Sequence, residues 1–202
     1  MEPEEKIKWD ARYKERPEAW LEPDEFLVRA YDQFLQSQPA GLALDLAGGA
    51  GRNSTYLLER GWNVVLMDIS EVALGLAREK AHSLEDRMAQ PPSAVALGSL
   101  HTEHADLNAV SDLGTDRYDL IIAFYFLRRE LFPALISALK PGGMLVYRTY
   151  TIDRMNVAGG PGDPAYLLQP GELRQAFRSL EILHYNETRT GKAAAELVAR
   201  KG

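Results

Sequence analysis

The chain contains no cysteine. Disulfides, thiolate metal sites and a cysteine nucleophile are thereby excluded, and a reducing cytoplasm is the compartment to expect. Long apolar runs are missing as well. No stretch approaches the roughly 20 apolar residues that span a bilayer, and residues 1–9 are too charged for the apolar centre of a secretion signal, so no membrane partner is expected. Positive charge is in deficit, with 23 Lys and Arg against 29 Asp and Glu and a net charge of −6. Such a balance gives no broad phosphate-neutralising surface, and no nucleic-acid partner is expected. Histidine is scarce at four residues; His101 and His104 have H-x-x-H spacing but no third partner, so no metal is expected.

What is present reads as one domain behind a short extension. Residues 1–23 are polar with scattered aromatics, and Pro17 and Pro23 interrupt any long helix; they read as an N-terminal cover, and 24–202 as a single domain. Phe26, Leu27, Ala30, Tyr31, Phe34 and Leu35 have helical spacing behind a cap at Asp24. The period then changes. Residues 42–46 form a short apolar run that stops at Gly48-Gly49-Ala50-Gly51, a buried strand entering a glycine turn.

Further along, the pattern predicts a helix over 53–60 closed by Gly61, a strand over 62–67 ending at Asp68, and a helix capped by Ser70. Residues 85–99, with Pro91-Pro92, read as a loop. Strands follow at 100–105 and 119–124, a helix at 127–139, a turn at Lys140-Pro141-Gly142-Gly143 and a strand at 144–150. Residues 153–170 are rich in Gly and Pro and read as a lid. Residues 171–177 look helical, and strands at 180–185 and 194–200 close the chain as a hairpin through Arg189-Thr190-Gly191-Lys192. Alternating strands and helices imply an α/β fold, a doubly wound, mostly parallel sheet with helices on both faces and one antiparallel strand from the hairpin.

In such a sheet ligands lie beyond the C-terminal ends of the strands. At the first exit sit Asp45, Ala47, Gly48, Gly49 and Gly51, where glycine lets the backbone turn sharply and approach a ligand, and the following helix offers free N–H groups. Asp68 ends the second strand, where a carboxylate can accept from both hydroxyls of a ribose. Ile69 can pack on a base, Asp106 is placed for an exocyclic amine at the third exit, and Leu107 can cover the ring's other face. Taken singly, glycine runs are often plain turns and strand-end aspartates plain helix caps; in this order and spacing they indicate an adenosine-type cofactor. Gly49-Ala50-Gly51-Arg52-Asn53-Ser54 lacks the third glycine of a dinucleotide fingerprint, and no Tyr-x-x-x-Lys pair is present.

The pattern acid-x-Gly-x-Gly-x-Gly begins at Asp45 and keeps Gly49 and Gly51, with Ala47 where its first glycine is expected. With Trp9-Asp10-Ala11-Arg12-Tyr13, Leu44 to Asn53, Val65-Leu66-Met67-Asp68-Ile69-Ser70, Ala105-Asp106-Leu107, Tyr118 to Ile122, Leu139-Lys140-Pro141-Gly142-Gly143 and Leu167 to Leu173, the sequence resembles the class I S-adenosylmethionine-dependent methyltransferases, in particular their small tellurite-resistance-like branch. The resemblance implies a Rossmann-like seven-stranded sheet whose last strand is antiparallel, and S-adenosylmethionine as cofactor. It also implies roles for residues. Ala47, Gly48 and Gly49 would line the methionine portion, with Gly51 and Asn53 in the same motif. Asp45 would reach the amino group, Asp68 the ribose, and Ile69, Asp106 and Leu107 the adenine. Ala123 and Phe124 would lie near the sulfonium, and Arg12 and Tyr13 would close over the cofactor carboxylate.

Acceptor-side candidates are Tyr125, Arg128, Arg129, Arg148, Tyr150 and Arg154, at the fourth and fifth strand exits and in the segment after them. Of these, Tyr125, Arg128, Arg148 and Tyr150 are the leading choices. Arginines around one opening suit an anionic acceptor, although Arg128 and Arg129 also read as solvated helix-start residues. Arg148, inside an apolar strand, has to be paired or to face the site. The expectation is methyl transfer to a small anionic or thiol acceptor by a cytoplasmic monomer or homodimer. The alternative is a cofactor-binding or degenerate module that works by contacting a protein.

Overall fold

A computed structural model of the chain describes residues 4–16, 21–88, 96–157 and 163–202. Pro17, Pro91-Pro92 and residues 158–162 of the expected lid lie outside the described residues. The chain divides into two compact units, Met1–Val110 and Ser111–Gly202. In the first unit the strands lie in the order β3 (Leu100–His104), β2 (Asn63–Asp68), β1 (Leu42–Leu46), and in the second in the order β4 (Tyr118–Phe124), β5 (Leu139–Tyr150), β7 (Ala194–Arg200), β6 (Glu181–Glu187).

The first unit holds β1 (Leu42–Leu46), β2 (Asn63–Asp68) and β3 (Leu100–His104). Both β1 with β2 and β2 with β3 pair in parallel. Parallel strands are covered on both faces and therefore read as unbroken apolar runs, as Leu44, Leu46, Val64 and Leu66 do, all nearly fully buried. The helices are α1 (Glu4–Glu15), α2 (Glu25–Ala30), α3 (Arg52–Leu58) and α4 (Glu71–Met88). Asp24 caps α2 as expected, its carboxylate accepting from the Phe26 N–H at 2.9 Å. That helix ends at Ala30 and continues as a π-helical turn over Tyr31–Leu35, so the apolar spacing spans two helix types.

A regular helix at α1 goes beyond the expectation of a polar cover. It is held by i,i+4 contacts, Lys6 Nζ to Asp10 at 2.9 Å and Trp9 Nε1 to Glu5 at 3.0 Å. Docking adds to these: Asp10 accepts from Ser70 Oγ at 2.6 Å, and Ser70 Oγ accepts from the Ala73 N–H at 3.1 Å at the start of α4.

The second unit holds β4 (Tyr118–Phe124), β5 (Leu139–Tyr150), β6 (Glu181–Glu187) and β7 (Ala194–Arg200), with α5 (Phe132–Ala138) and α6 (Glu172–Ala176). β4 pairs with β5 in parallel, and β7 runs antiparallel to both β5 and β6. Residues 140–143, expected as a turn before the fifth strand, bulge within it: Tyr118 pairs with Leu139 while Leu120 pairs with Met144. Lys140 Nζ secures the bulge on both Asp119 carboxylate oxygens, at 2.9 and 2.8 Å. The helix expected over 127–139 shortens to Phe132–Ala138 behind a 3-10 turn at Arg129–Leu131. Arg128 is extended, with φ −141°, and Pro133 occupies the first turn, where a missing N–H removes no helical bond. Phe132, Tyr147 and Phe177 form an aromatic core with ring centroids 5.1–6.2 Å apart.

The Gly/Pro-rich stretch is partly structured. It contains 3-10 turns at Ile152–Asn156 and Pro164–Tyr166 and a parallel bridge from Thr151 to Leu168. Arg129 fastens its far end, donating to both Glu172 oxygens and to the carbonyls of Ala165 and Leu167 at 2.5–3.0 Å. This corrects the reading of Arg129 as an acceptor-side or merely solvated residue: its donors hold the Glu172 carboxylate and two backbone carbonyls.

Candidate functional site

In the first unit the β1 exit is built as a polar cradle. Asp45 is 1% exposed and accepts from Ser54 Oγ at 2.7 Å. Burial pushes its carboxyl up to about 7, aided by the nearby Asp68 charge and opposed by the Ser54 hydrogen bond and by Arg52. A Cβ placed on Gly48 would lie 2.6 Å from the Asp45 Cγ, so the carboxylate has room only because residue 48 is glycine. Asp68, also buried, accepts from the Gly49 N–H at 2.8 Å through one oxygen and from the Ser70 N–H at 2.9 Å through the other. Burial raises its pKa despite these bonds.

The turn itself is left-handed at Ala47 (φ 55°), Gly49 (φ 56°) and Gly51 (φ 74°). Gly49 is favoured by its φ and by the close approach of α1, since a Cβ there would lie 2.1 Å from the Tyr13 hydroxyl. Ala47 occupies a conformation costing an L-residue roughly 1–2 kcal/mol. Ala47→Gly removes that strain and loosens the unfolded chain by roughly 0.4–1 kcal/mol. The expected net gain is about 0.5 kcal/mol, read as a rise of about 1–2 °C in Tm by thermal denaturation.

Tyr13, on α1, is 9% exposed and packs with Ala50 and Ala73, with Trp9 beside it. Burial and the Asp68 charge raise its phenol pKa. The Arg12 guanidinium lies over the Trp9 ring at 5.1 Å. Ile69 is half-buried and Leu107 buried, while Asp106 is half-buried and accepts from the Asn108 N–H at 2.9 Å. Asn53 supports the scaffold, its side-chain oxygen accepting from the Asp24 N–H at 2.9 Å and tying down the start of α2. His104 Nε2 lies 2.9 Å from the Ile69 carbonyl. Among the described residues no group of three His, Cys, Asp or Glu is arranged to hold a metal ion.

In the second unit Ala123 and Phe124 are buried at the end of β4. Tyr125 follows with φ 57°, an uncommon conformation for a bulky residue, of the kind that clusters at functional sites. Its N–H donates to the Arg148 carbonyl at 2.8 Å, and its ring lies 4.8 Å from that of Tyr150. The Arg148 guanidinium sits 5.9 Å from the Tyr125 ring centre and that of Arg154 5.1 Å from Tyr150. Tyr125, Arg148 and Tyr150 are thus gathered at one place. Arg128 Nε lies 3.7 Å from Glu130.

Arg148 is paired, as its apolar surroundings required. Its partner is Glu196, directly opposite on β7, with Nη2 to Oε1 3.2 Å. Ser54 and Glu196 carry no expectation from the sequence, Asp10 enters only as part of a resembling segment, and Ser70 enters only as the helix cap that its bond from the Ala73 N–H shows it to be. Glu196 had a visible signal, being the one charge inside an apolar strand, as Arg148 is in its own.

A family model described as "Tellurite resistance protein TehB" matches residues 36–194. A protein of Haemophilus influenzae named "Probable S-adenosyl-L-methionine-dependent methyltransferase TehB" is 27% identical over 152 residues, covering 71% of this chain and 47% of that protein. The "Ribosomal RNA small subunit methyltransferase B" of Vibrio cholerae is 26% identical over 196 residues, covering 77% and 44%. The chain spans somewhat less than half the length of these curated relatives. Among solved structures, Haemophilus influenzae TehB superposes with a TM-score of 0.67 at 23% identity, covering 87% of this chain and 61% of that one. A SAM-dependent methyltransferase of Aquifex aeolicus superposes at 0.63 and 18%, covering both chains fully. These superpositions show the Rossmann-like methyltransferase fold, and the family match over most of the sequence shows that the chain belongs to the TehB family, within the class I S-adenosylmethionine-dependent methyltransferases.

Proposed function

We propose that the chain is an S-adenosylmethionine-dependent methyltransferase acting on a small, anionic acceptor. The observation that carries this reading is the pair of buried carboxylates, Asp45 and Asp68, on either side of the left-handed turn at residues 47–51. Two buried acids destabilise a ligand-free fold, and carboxylates only accept hydrogen bonds when ionised. A ligand that brings a cation and hydroxyl donors matches that demand.

The residues present fit the cofactor. Asp45 would hold its ammonium group and Asp68 its ribose hydroxyls. Each Asp68 oxygen already accepts one backbone N–H, which fixes the carboxylate and leaves a lone pair on each oxygen for a hydroxyl. Ala47, Gly48, Gly49 and Gly51 would line the methionine portion. Ile69 and Leu107 would offer apolar surface to the base and Asp106 an acceptor for its amine, and Arg12 with Tyr13 would meet the carboxylate. When bound, the cofactor supplies a methyl group on a sulfonium with a good leaving group. The chain's own contribution is alignment, which can lower a barrier by roughly 7–11 kcal/mol without a dedicated base.

Tyr125 and Tyr150, with Arg128 near them in sequence, are the acceptor-side residues, and Arg148, neutralised by Glu196 within the sheet, supports Tyr125 from behind. A small acceptor is favoured over the ribosomal RNA in the name of the Vibrio protein by the chain's net charge of −6. Calorimetric titration with S-adenosylhomocysteine tests the cofactor site. Wild type should bind in the micromolar range, and Asp68→Ala about 30-fold more weakly, for two lost hydroxyl bonds of about 1 kcal/mol each. No binding by the wild type would overturn the proposal and favour a module that contacts a protein.

A further inference from the structure

The four arginines near the β4 and β5 exits differ in what already holds them. Arg129 is engaged by Glu172 and two carbonyls. Arg128 has Glu130 at 3.7 Å. Arg148 has Glu196 at 3.2 Å, both being more than nine-tenths buried. An ion pair of that kind leaves little net charge for an incoming anion, and its geometry is fixed by the sheet register.

Arg154 is different. Among the described residues no carboxylate lies within ion-pair distance of it and its one hydrogen bond is Nη1 to the Gly191 carbonyl at a long 3.4 Å; its Nε, like that of Arg148, is buried with no hydrogen-bond partner. A buried donor without an acceptor is unfavourable by roughly 1–3 kcal/mol, more for a charged group, and is relieved when a ligand supplies the acceptor. The guanidinium lies 5.1 Å from the Tyr150 ring centre, and Tyr150 in turn stacks with Tyr125 at 4.8 Å. The next residue, Met155, is large, apolar and half exposed at 50%. A cation with no carboxylate partner therefore stands beside an aromatic ring and next in sequence to an exposed apolar side chain.

We infer that Arg154, with Tyr150 beside it, is the subsite that binds the carboxylate of a small organic acceptor. A guanidinium edge matches the two oxygens of a carboxylate. The neighbouring rings and Met155 offer surface to an organic body, which an inorganic oxyanion does not have. Arg148 then shapes the wall through Tyr125. The inference rests on the methyltransferase reading for calling the ligand an acceptor; the subsite itself is testable apart from it.

The experiment is calorimetric titration of benzoate, acetate and tellurite into the whole chain, with and without saturating S-adenosylhomocysteine. The variants are Arg154→Met, Arg154→Lys and the double replacement Arg148→Met with Glu196→Leu. Benzoate should bind the wild type with a Kd of about 1 mM or tighter and acetate more weakly. Arg154→Met should weaken benzoate at least tenfold, the scale of a lost charge-assisted bond. Arg154→Lys should retain part of the affinity, and the double replacement should stay within about threefold. S-adenosylhomocysteine affinity should be the same in all four proteins. Unchanged benzoate binding by Arg154→Met, or no binding of any anion by the wild type, overturns the subsite. Tellurite binding as tightly as benzoate overturns the carboxylate assignment. Failure of S-adenosylhomocysteine to bind, with the benzoate pattern intact, removes the methyltransferase reading and leaves the subsite standing.

Discussion

Asp45→Asn is expected to stabilise the ligand-free chain above neutral pH while crippling its cofactor site. The Asp45 carboxyl titrates near 7 in the folded chain because burial disfavours its charge, with Asp68 adding repulsion, against about 3.9 when unfolded. Between those values the folded chain keeps a proton that the unfolded chain has lost. The stability tied to this group is fully present below about pH 4 and falls as pH rises through 7. Over that interval the loss is about 4 kcal/mol at 1.36 kcal/mol per pH unit. Asparagine is neutral throughout and can still accept from Ser54, so the variant should match wild type near pH 4 and exceed it by about 4 kcal/mol at pH 8. Urea denaturation across that range measures it, and parallel curves at every pH would refute the assignment. Binding moves the other way. Wild-type affinity for S-adenosylhomocysteine should climb as pH rises through 7, when the carboxylate ionises to meet the ligand's ammonium, whereas the asparagine variant should bind weakly and without that climb.

The parts of this site that the sequence discloses are those built by neighbours in the chain. The run Leu42–Leu46 into Gly48-Gly49-Ala50-Gly51, and the run into Asp68, declare strand, turn and acid within a few residues, and the structure has β1 and β2 there. Even the departure at Ala47 is intelligible locally, since its φ of 55° is where glycine is at ease. What stayed hidden depends on distant partners. The helix α1 carries Trp9 and Tyr13 on a polar background, and much of its order comes from Asp10 meeting Ser70, sixty positions away. Asn53 sits inside the glycine motif yet serves Asp24. The π-helical turn at Tyr31–Leu35 shares its apolar spacing with an α-helix, and nothing in periodicity separates the two. Arg129 differs from Arg128 and Arg154 only through Glu172 and the carbonyls that the returning segment brings to it.

Glu196→Ala should be among the most destabilising single changes in the second unit. Glu196 and Arg148 are 6% and 5% exposed, and removal of one partner from a buried pair typically costs about 3–5 kcal/mol, because the remaining charge loses its compensation. For a chain of this size that corresponds to a fall of about 10 °C in Tm. His184, whose Nε2 lies 4.0 Å from the Glu196 carboxylate, stands on the same side and adds no negative charge to replace it. The double replacement Arg148→Met with Glu196→Leu removes both charges and keeps the volume, so it should be neutral or more stable than wild type by up to about 4 kcal/mol. Thermal and urea denaturation of the two variants decide the matter together. Equal destabilisation by both would mean that Arg148 contributes through its packing on Tyr125 and not through its charge. A stable double variant that still binds benzoate would separate the two arginines by role: Arg148 neutralised within the sheet, and Arg154 left to meet the acceptor.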